Sequence, residues 1–175
     1  MTAAAVVALR PELESDEDVL FRVWSDLGTW EERSPASPAP LTLATYREKR
    51  ERGDFAGDAD FVVTLDGDPV GRVTIFHEDR LSRHAEVGIA LLPEARGRGA
   101  GTAALAQAVE FAFVRRNLRR LYLWVLSSNA AGIASYRKLG FVEEGRHREH
   151  CWVRGHYEDE IAMGLLRSEW TPTRR

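Results

Sequence analysis

The stretch Glu86-Val87-Gly88-Ile89-Ala90-Leu91-Leu92-Pro93-Glu94-Ala95-Arg96-Gly97-Arg98-Gly99-Ala100-Gly101 decides how this chain is read. It opens with strand-type apolar residues, breaks at Pro93, crosses a basic turn spaced by glycines and enters a helix near Gly101–Thr102. A helix start leaves backbone N–H groups without an intrahelical partner. Small residues let an anion reach them, and the helix dipole adds positive potential there. Arg96 and Arg98 bring fork-shaped donors suited to phosphate oxygens. The spacing predicts a pyrophosphate cradle over Arg96, Gly97, Arg98, Gly99, Ala100, Gly101 and Thr102, bordered by the strand residues Ile89, Ala90 and Leu91.

Three phosphate-binding patterns compete for the stretch. A P-loop ends in Gly-Lys-Ser/Thr, but no lysine lies between Lys49 and Lys138. A dinucleotide fingerprint needs a third glycine where Thr102 stands. The pattern R-x-x-G-x-G/A is met by Arg96, Gly99 and Gly101. About 30 residues on, Asn129, Ile133, Tyr136, Lys138, Gly140 and Phe141 form N-x-x-x-I-x-x-Y-x-K-x-G-F, in which Asn129, Ile133 and Tyr136 share one helix face. With both motifs in this order, each after a strand, the chain resembles the GNAT superfamily of acetyl-CoA-dependent N-acetyltransferases. Glu144-Gly145-Arg146, Gly155-His156-Tyr157 and the segment from Met163 to Trp170 resemble the branch holding ribosomal-protein N-terminal acetyltransferases and many small-amine acetyltransferases.

Outside these motifs, 175 residues suit one domain over 1–175, and 44% hydrophobic residues are enough to build a core. A net charge of −3 argues against general nucleic-acid affinity. Cys151 is the only cysteine, which excludes an internal disulfide and suggests a buried, inert thiol. The N-terminal apolar run lacks a basic flank and is too short for a signal peptide or span, so the expectation is a cytoplasmic chain without a membrane partner.

Along the chain, the pattern predicts a strand at Val6–Leu9 and a helix capped by Ser15 and Asp18 and stopped at Gly28. A loop from Trp30 to Pro40 and a helix from Thr42 to Arg52 follow. Phe61–Leu65 and Val70–Phe76 flank Asp66-Gly67, a hairpin signal. Thr102–Arg116 reads as a helix, Leu121–Leu126 as a strand buried on both faces, Asn129–Leu139 as a helix, and Phe141–Val142 and Tyr157–Leu166 as strands. The fold class is α/β (α+β). The resemblance implies a GNAT fold: a mixed, mostly antiparallel sheet with a splayed parallel pair (Glu86–Leu92 and Leu121–Leu126) and about four flanking helices.

Acetyl transfer to an amine needs a base, an oxyanion donor and an acid for the departing thiolate. The resemblance implies Glu86 as base through a water and Tyr136 as acid, with Asn129 also on the cofactor side. A strand interrupted around Ala90–Leu92 would offer a backbone N–H to the oxyanion. The resemblance also implies acetyl-CoA as cofactor, and members of the family often pair as homodimers through their later strands. The resemblance places the acceptor walls on the loop between the first two helices and on the final strands, which here carry Trp30, Glu31 and Glu32, and Glu149, Trp152, His156, Tyr157 and Glu158. Aromatics with acids suit a cationic amine, although exposed loops are also acidic for solubility. A regular strand would put His147 and His150 on opposite faces, so no metal is expected. The leading expectation is an N-acetyltransferase working by direct attack in a ternary complex, on a protein N-terminus or a small amine. The alternatives are a non-catalytic acyl-CoA sensor and a transferase using another acyl-CoA.

Overall fold

Asp66 and Gly67 turn the chain back on itself with both residues in the left-handed region (φ 55° and 95°), the backbone a tight hairpin requires. They join β2 (Ala59–Leu65) to β3 (Asp68–Asp79) in a computed structural model that describes residues 5–33 and 39–172. The other strands are β1 (Val7–Arg10), β4 (His84–Leu91), β5 (Arg120–Leu126), β6 (Val142–Val153) and β7 (His156–Leu166). All seven form one sheet in the order β1-β2-β3-β4-β5-β7-β6. Every neighbouring pair is antiparallel except β4 and β5, which run parallel.

That parallel ladder is short. His84, Ala85 and Glu86 pair with Arg120, Leu121 and Tyr122, and no further pair follows although both strands continue. The strands part just beyond Glu86, so the splayed pair expected from the resemblance is present.

The helices are α1 (Glu17–Ser25), α2 (Leu27–Arg33), α3 (Leu43–Glu51), α4 (Ala100–Glu110) and α5 (Ala130–Lys138), one more than the expected four among the described residues. The extra one is α2, where a loop was expected from Trp30. Gly28 does not stop the first helix. The break falls at Asp26 (ψ 109°), whose carboxylate accepts from the Thr29 N–H at 2.7 Å and so caps α2. The Ser15–Asp18 capping box is also not formed. Residues Glu14–Asp16 make a 3-10 turn, and it is Asp16 that reaches back to the Leu13 N–H at 2.8 Å. Helix α4 starts two residues earlier than expected, and its continuation Phe111–Arg115 widens into a π-helix with Ala112 and Phe113 fully buried.

The main core lies on the sheet face covered by α4 and α5. It joins Val73 and Ile75, Ala85, Val87 and Leu91, Leu121, Leu123 and Val125, and Ile161, Met163 and Leu165 to Ala104, Leu105, Val109, Phe113, Ile133 and Tyr136. Successive strand residues point to opposite faces, so Glu86, Tyr122, Trp124, Glu158 and Glu160 belong to the other face, where α1 packs Val19 and Val23 against Ala90 and Leu92. Strand β5 is therefore not buried on both faces as its Tyr-Leu-Trp-Val run suggested, since Trp124 is 39% exposed.

Two bulges reshape the face that carries Glu86. Phe76 pairs with Glu86 but Asp79 pairs with His84, so β3 carries one extra residue around His77, whose φ is 54°. His147 pairs with Glu160 but Cys151 pairs with Glu158, so β6 carries two extra residues, with Glu149 at φ 51°. The interruption expected in β4 around Ala90–Leu92 is absent. Ala90 and Leu91 keep register with Arg72 and Gly71, and the Leu92 N–H donates to Val70 O at 2.9 Å. Among the described residues no helix is long and apolar enough to cross a membrane.

Candidate active site

The cradle is built where β4 hands over to α4. After a 3-10 turn at Pro93–Ala95, the chain passes Gly97 and Gly99, both left-handed (φ 70° and 80°), and α4 starts at Ala100. Gly99 is the N-cap and no side chain caps the helix, so its first N–H groups are left to a ligand or water. A Cβ built on Gly97 or Gly99 would meet nothing within 4 Å, so open space lies in front of this turn. A Cβ on Gly101 would touch only Leu91 and Ile89 at ordinary contact distance, which fits the Gly-or-Ala tolerance of the motif. A backbone donor set facing open space at a helix N-terminus fits a pyrophosphate.

Several side chains of the motif also bond within the protein. The Arg96 Nε donates to Leu91 O at 3.1 Å and Nη2 to Thr29 Oγ1 at 2.5 Å. The guanidinium thus ties the end of β4 to α2. Thr102 Oγ1 donates to Ser135 Oγ at 3.0 Å and fastens α4 to α5. Arg98 is exposed beside the open turn. Asn129 caps α5, accepting from the Gly132 N–H at 2.9 Å. A Cβ at Gly132 would lie 2.8–2.9 Å from three Asn129 side-chain atoms, so only glycine lets this cap sit close.

Glu86 sits at the last rung of the parallel ladder, where the strands part, with its side chain 16% exposed. Burial raises its carboxyl above the ordinary range, a hydrogen bond and charge from His77 act in the opposite direction, and the nearby Glu160 raises it further. His77 Nδ1 lies 3.1 Å from Glu86 Oε2, while its ring is otherwise 70% exposed. On the opposite face, Tyr136 is 8% exposed and packs edge-on to Phe141 at 6.0 Å. Burial pushes its hydroxyl up to about 12, so it keeps its proton at neutral pH.

The face of Glu86 is the candidate acceptor wall, and it holds residues the motifs did not indicate: His77, Tyr122, Trp124 and Glu160. Burial, and then Glu86, raise the Tyr122 hydroxyl. The Trp124 ring lies 5.0 Å from His147 at 30°. Two-residue alternation along β5 would have put Tyr122 and Trp124 beside Glu86, but the apolar run concealed it. His77 reaches the site only through a bulge that leaves no mark in the hydrophobic pattern.

Of the expected acceptor residues, Glu31 lies on α2, which packs over β4 and β5. The side chains of Trp30 and Glu32 lie outside the described residues. Trp152 and Tyr157 are not brought to Glu86. They pair with each other near the tip of the β6–β7 hairpin, 4.9 Å between rings, 59% and 62% exposed. Their register partners alternate with Cys151 and Glu158, which puts the two aromatics on the opposite face of the hairpin. Glu158 stays on the acceptor face with His156 Nε2 at 3.0 Å, and Glu149 lies in the β6 bulge. Burial opposes ionisation of Glu158, but Ser128, His156 and Arg154 together hold it below the ordinary carboxylate range. Cys151 is 1% exposed, and burial together with Glu160 pushes its thiol up to about 11, so it is no nucleophile at neutral pH.

Comparison with known proteins agrees with both the motifs and the fold. The spermidine N(1)-acetyltransferase of Escherichia coli (strain K12) is 36% identical over 110 residues, 63% of this chain and 59% of that protein, so the chain spans about three-fifths of that relative. YdaF of Bacillus subtilis (strain 168) is 30% identical over 137 residues, 75% of this chain and 74% of that protein. Among solved structures, Vibrio cholerae spermidine N-acetyltransferase in complex with CoA and spermine superposes with a TM-score of 0.81 over 93% of this chain and 96% of that one, at 23% identity, which shows a shared fold. Mycobacterium smegmatis RimJ in complex with CoA-disulfide gives a TM-score of 0.80 at 26% identity over 95% of this chain and 84% of that one. Residues 24–141 match the family described as Acetyltransferase (GNAT) family, and with this segment covering the cradle, the splayed strands and the Asn129–Phe141 motif, the chain belongs to that family.

Proposed function

We propose that the protein transfers an acetyl group from acetyl-CoA to the primary amine of a small cationic acceptor by direct attack in a ternary complex. The observation that carries this is the end of the parallel ladder at Glu86. Beyond that rung β4 and β5 part, with the open turn Gly97–Ala100 after the far end of β4, the largely buried Glu86 on one face of the sheet and Tyr136 in the core of the other. When bound, acetyl-CoA supplies an activated thioester whose carbonyl carbon the amine attacks, so the C–N bond forms as the C–S bond breaks.

The residues divide the remaining work. Backbone N–H groups at the start of α4 hold the pyrophosphate, with Arg98 adding charge at the rim. Glu86 takes the proton that an ammonium group must lose before it can attack, directly or through a water, and its raised carboxyl brings it nearer to neutrality. His77, hydrogen-bonded to Glu86 and open to solvent, is placed to pass that proton outward. Tyr136, uncharged at neutral pH, is the acid that protonates the leaving thiolate in this reading. Glu86, Glu160 and Glu158 give the acceptor wall a negative charge, and Tyr122 and Trp124 give it aromatic surface, a combination suited to a cationic amine. The named activities of the relatives, spermidine acetylation among them, support an amine of this kind.

Calorimetry with acetyl-CoA tests the cradle: saturable binding is expected, lost on Gly99→Glu, which fills the open space with a carboxylate. A panel of free amines assayed for CoA release tests turnover, with polyamines expected to lead and peptides with free N-termini to trail. Tyr136→Phe is expected to keep acetyl-CoA affinity and lower kcat by 10-fold or more. Binding without CoA release from any amine would make the protein an acyl-CoA sensor instead.

A further inference from the structure

The β6 bulge assembles three metal-ligating groups that the transfer chemistry does not use together. In an unbroken strand His147 and His150 would face opposite ways. Here two extra residues between the pairs His147–Glu160 and Cys151–Glu158 turn His150 back onto the face of His147. Glu149 absorbs the turn in the left-handed region (φ 51°), and its N–H donates to Asp159 Oδ1 at 2.9 Å, which fixes the distortion. A non-glycine residue held in that region is a strain that the surrounding structure has to support.

The result is a compact donor set. His147 Nδ1 and His150 Nε2 each lie 3.7 Å from the same oxygen, Oε2 of Glu160, and one ligand atom from each of the three residues falls within 4.8 Å of the others. Donors around a tetrahedral zinc, with bonds of about 2.0–2.1 Å, stand about 3.3 Å apart. Small rotations of the two half-exposed imidazoles would close the difference. Glu160 is only 12% exposed, and its other oxygen, Oε1, lies 3.8 Å from the Cys151 Sγ, so the carboxylate is held with Oε2 toward the histidines. The His147 ring is held in turn against Trp124. Orienting contacts of this kind behind the ligands are a usual feature of metal sites.

We propose that His147, His150 and Glu160 bind a divalent transition ion of the zinc class, with the remaining position open to solvent. Two imidazoles and one carboxylate suit zinc, nickel or cobalt and disfavour calcium and magnesium, which take oxygen ligands. This proposal stands on the three side chains alone and does not depend on acetyl transfer.

The test uses the full chain. Calorimetry with Zn(II) should show one saturable site, and Co(II) titration should give visible d–d absorption without a thiolate charge-transfer band, since Cys151 is not a ligand. His147→Ala and His150→Ala should each weaken Zn(II) binding 10-fold or more, while His156→Ala, a histidine outside the cluster on the same hairpin, should leave it unchanged. Glu160→Gln should weaken it similarly, and if that variant lowers Tm the two exposed histidines decide the matter. No saturable binding, equal affinity in His147→Ala and the unsubstituted chain, or loss on His156→Ala would each overturn the assignment.

Discussion

At Glu86 the environment that suits a base also costs the fold something. A carboxyl held above its ordinary range keeps more proton in the native chain than in the unfolded one, so stability falls as pH rises from the ordinary glutamate range through the native value. Glu86→Gln removes that titration. Its Tm is expected to exceed that of the unsubstituted chain at neutral pH, with the difference vanishing below about pH 3, where the carboxyl is protonated in both states. The same variant should lose turnover, and equal Tm values across that range would mean that Glu86 is not strained by burial. Glu86 was legible in the sequence as a carboxylate opening a strand ahead of the cradle. Its partner His77 was not, because a one-residue bulge aims it and nothing in the local composition marks a bulge.

Elements were legible where the signal is local. Asp66-Gly67 made its hairpin, and the helix read from Asn129 starts there because Asn129 caps it, since both depend on residues within three positions of one another. The entry to α1 was misplaced because it is set at a distance. Asp16, 1% exposed, pairs with Arg10 on β1 at 2.6 Å while capping Leu13, so one carboxylate fixes the helix start against the sheet edge. The Arg10 guanidinium holds the Asp16 carboxyl below its usual range against the opposing effect of burial. Asp16→Ala is expected to destabilise the fold by about 3 kcal/mol, the lower end of what breaking a buried pair costs, because Arg10 can still reach water. Urea denaturation of the variant measures it, and a loss near zero would reduce the pair to a surface contact. The break at Asp26 was missed for a related reason: Gly28 looks like a stop, but a carboxylate two residues earlier had already ended one helix and capped the next.

Over the whole molecule, the pattern of strands and helices established a mixed α/β class, while the parallel placement of β4 beside β5 came from the resemblance. No periodicity in either strand says which neighbour it will take, and the apolar run of β5 concealed that one of its faces is partly open to solvent. The short ladder has a mechanical consequence. The sheet consists of two plates, β1–β4 and β5–β7, stitched directly by one seam only three residue pairs long. Hydrogen exchange should reveal that seam. Amides of residues 84–86 and 120–122 are expected to be protected in the free protein, whereas those of residues 87–91 and 123–126 that face the gap should exchange faster and slow when acetyl-CoA is added. Uniform slow exchange along both strands without ligand would mean that the seam runs their full length in solution. If the seam is as short as it stands here, the ligand acts as the missing stretch of sheet, and binding it should be felt as stiffness across the whole plate.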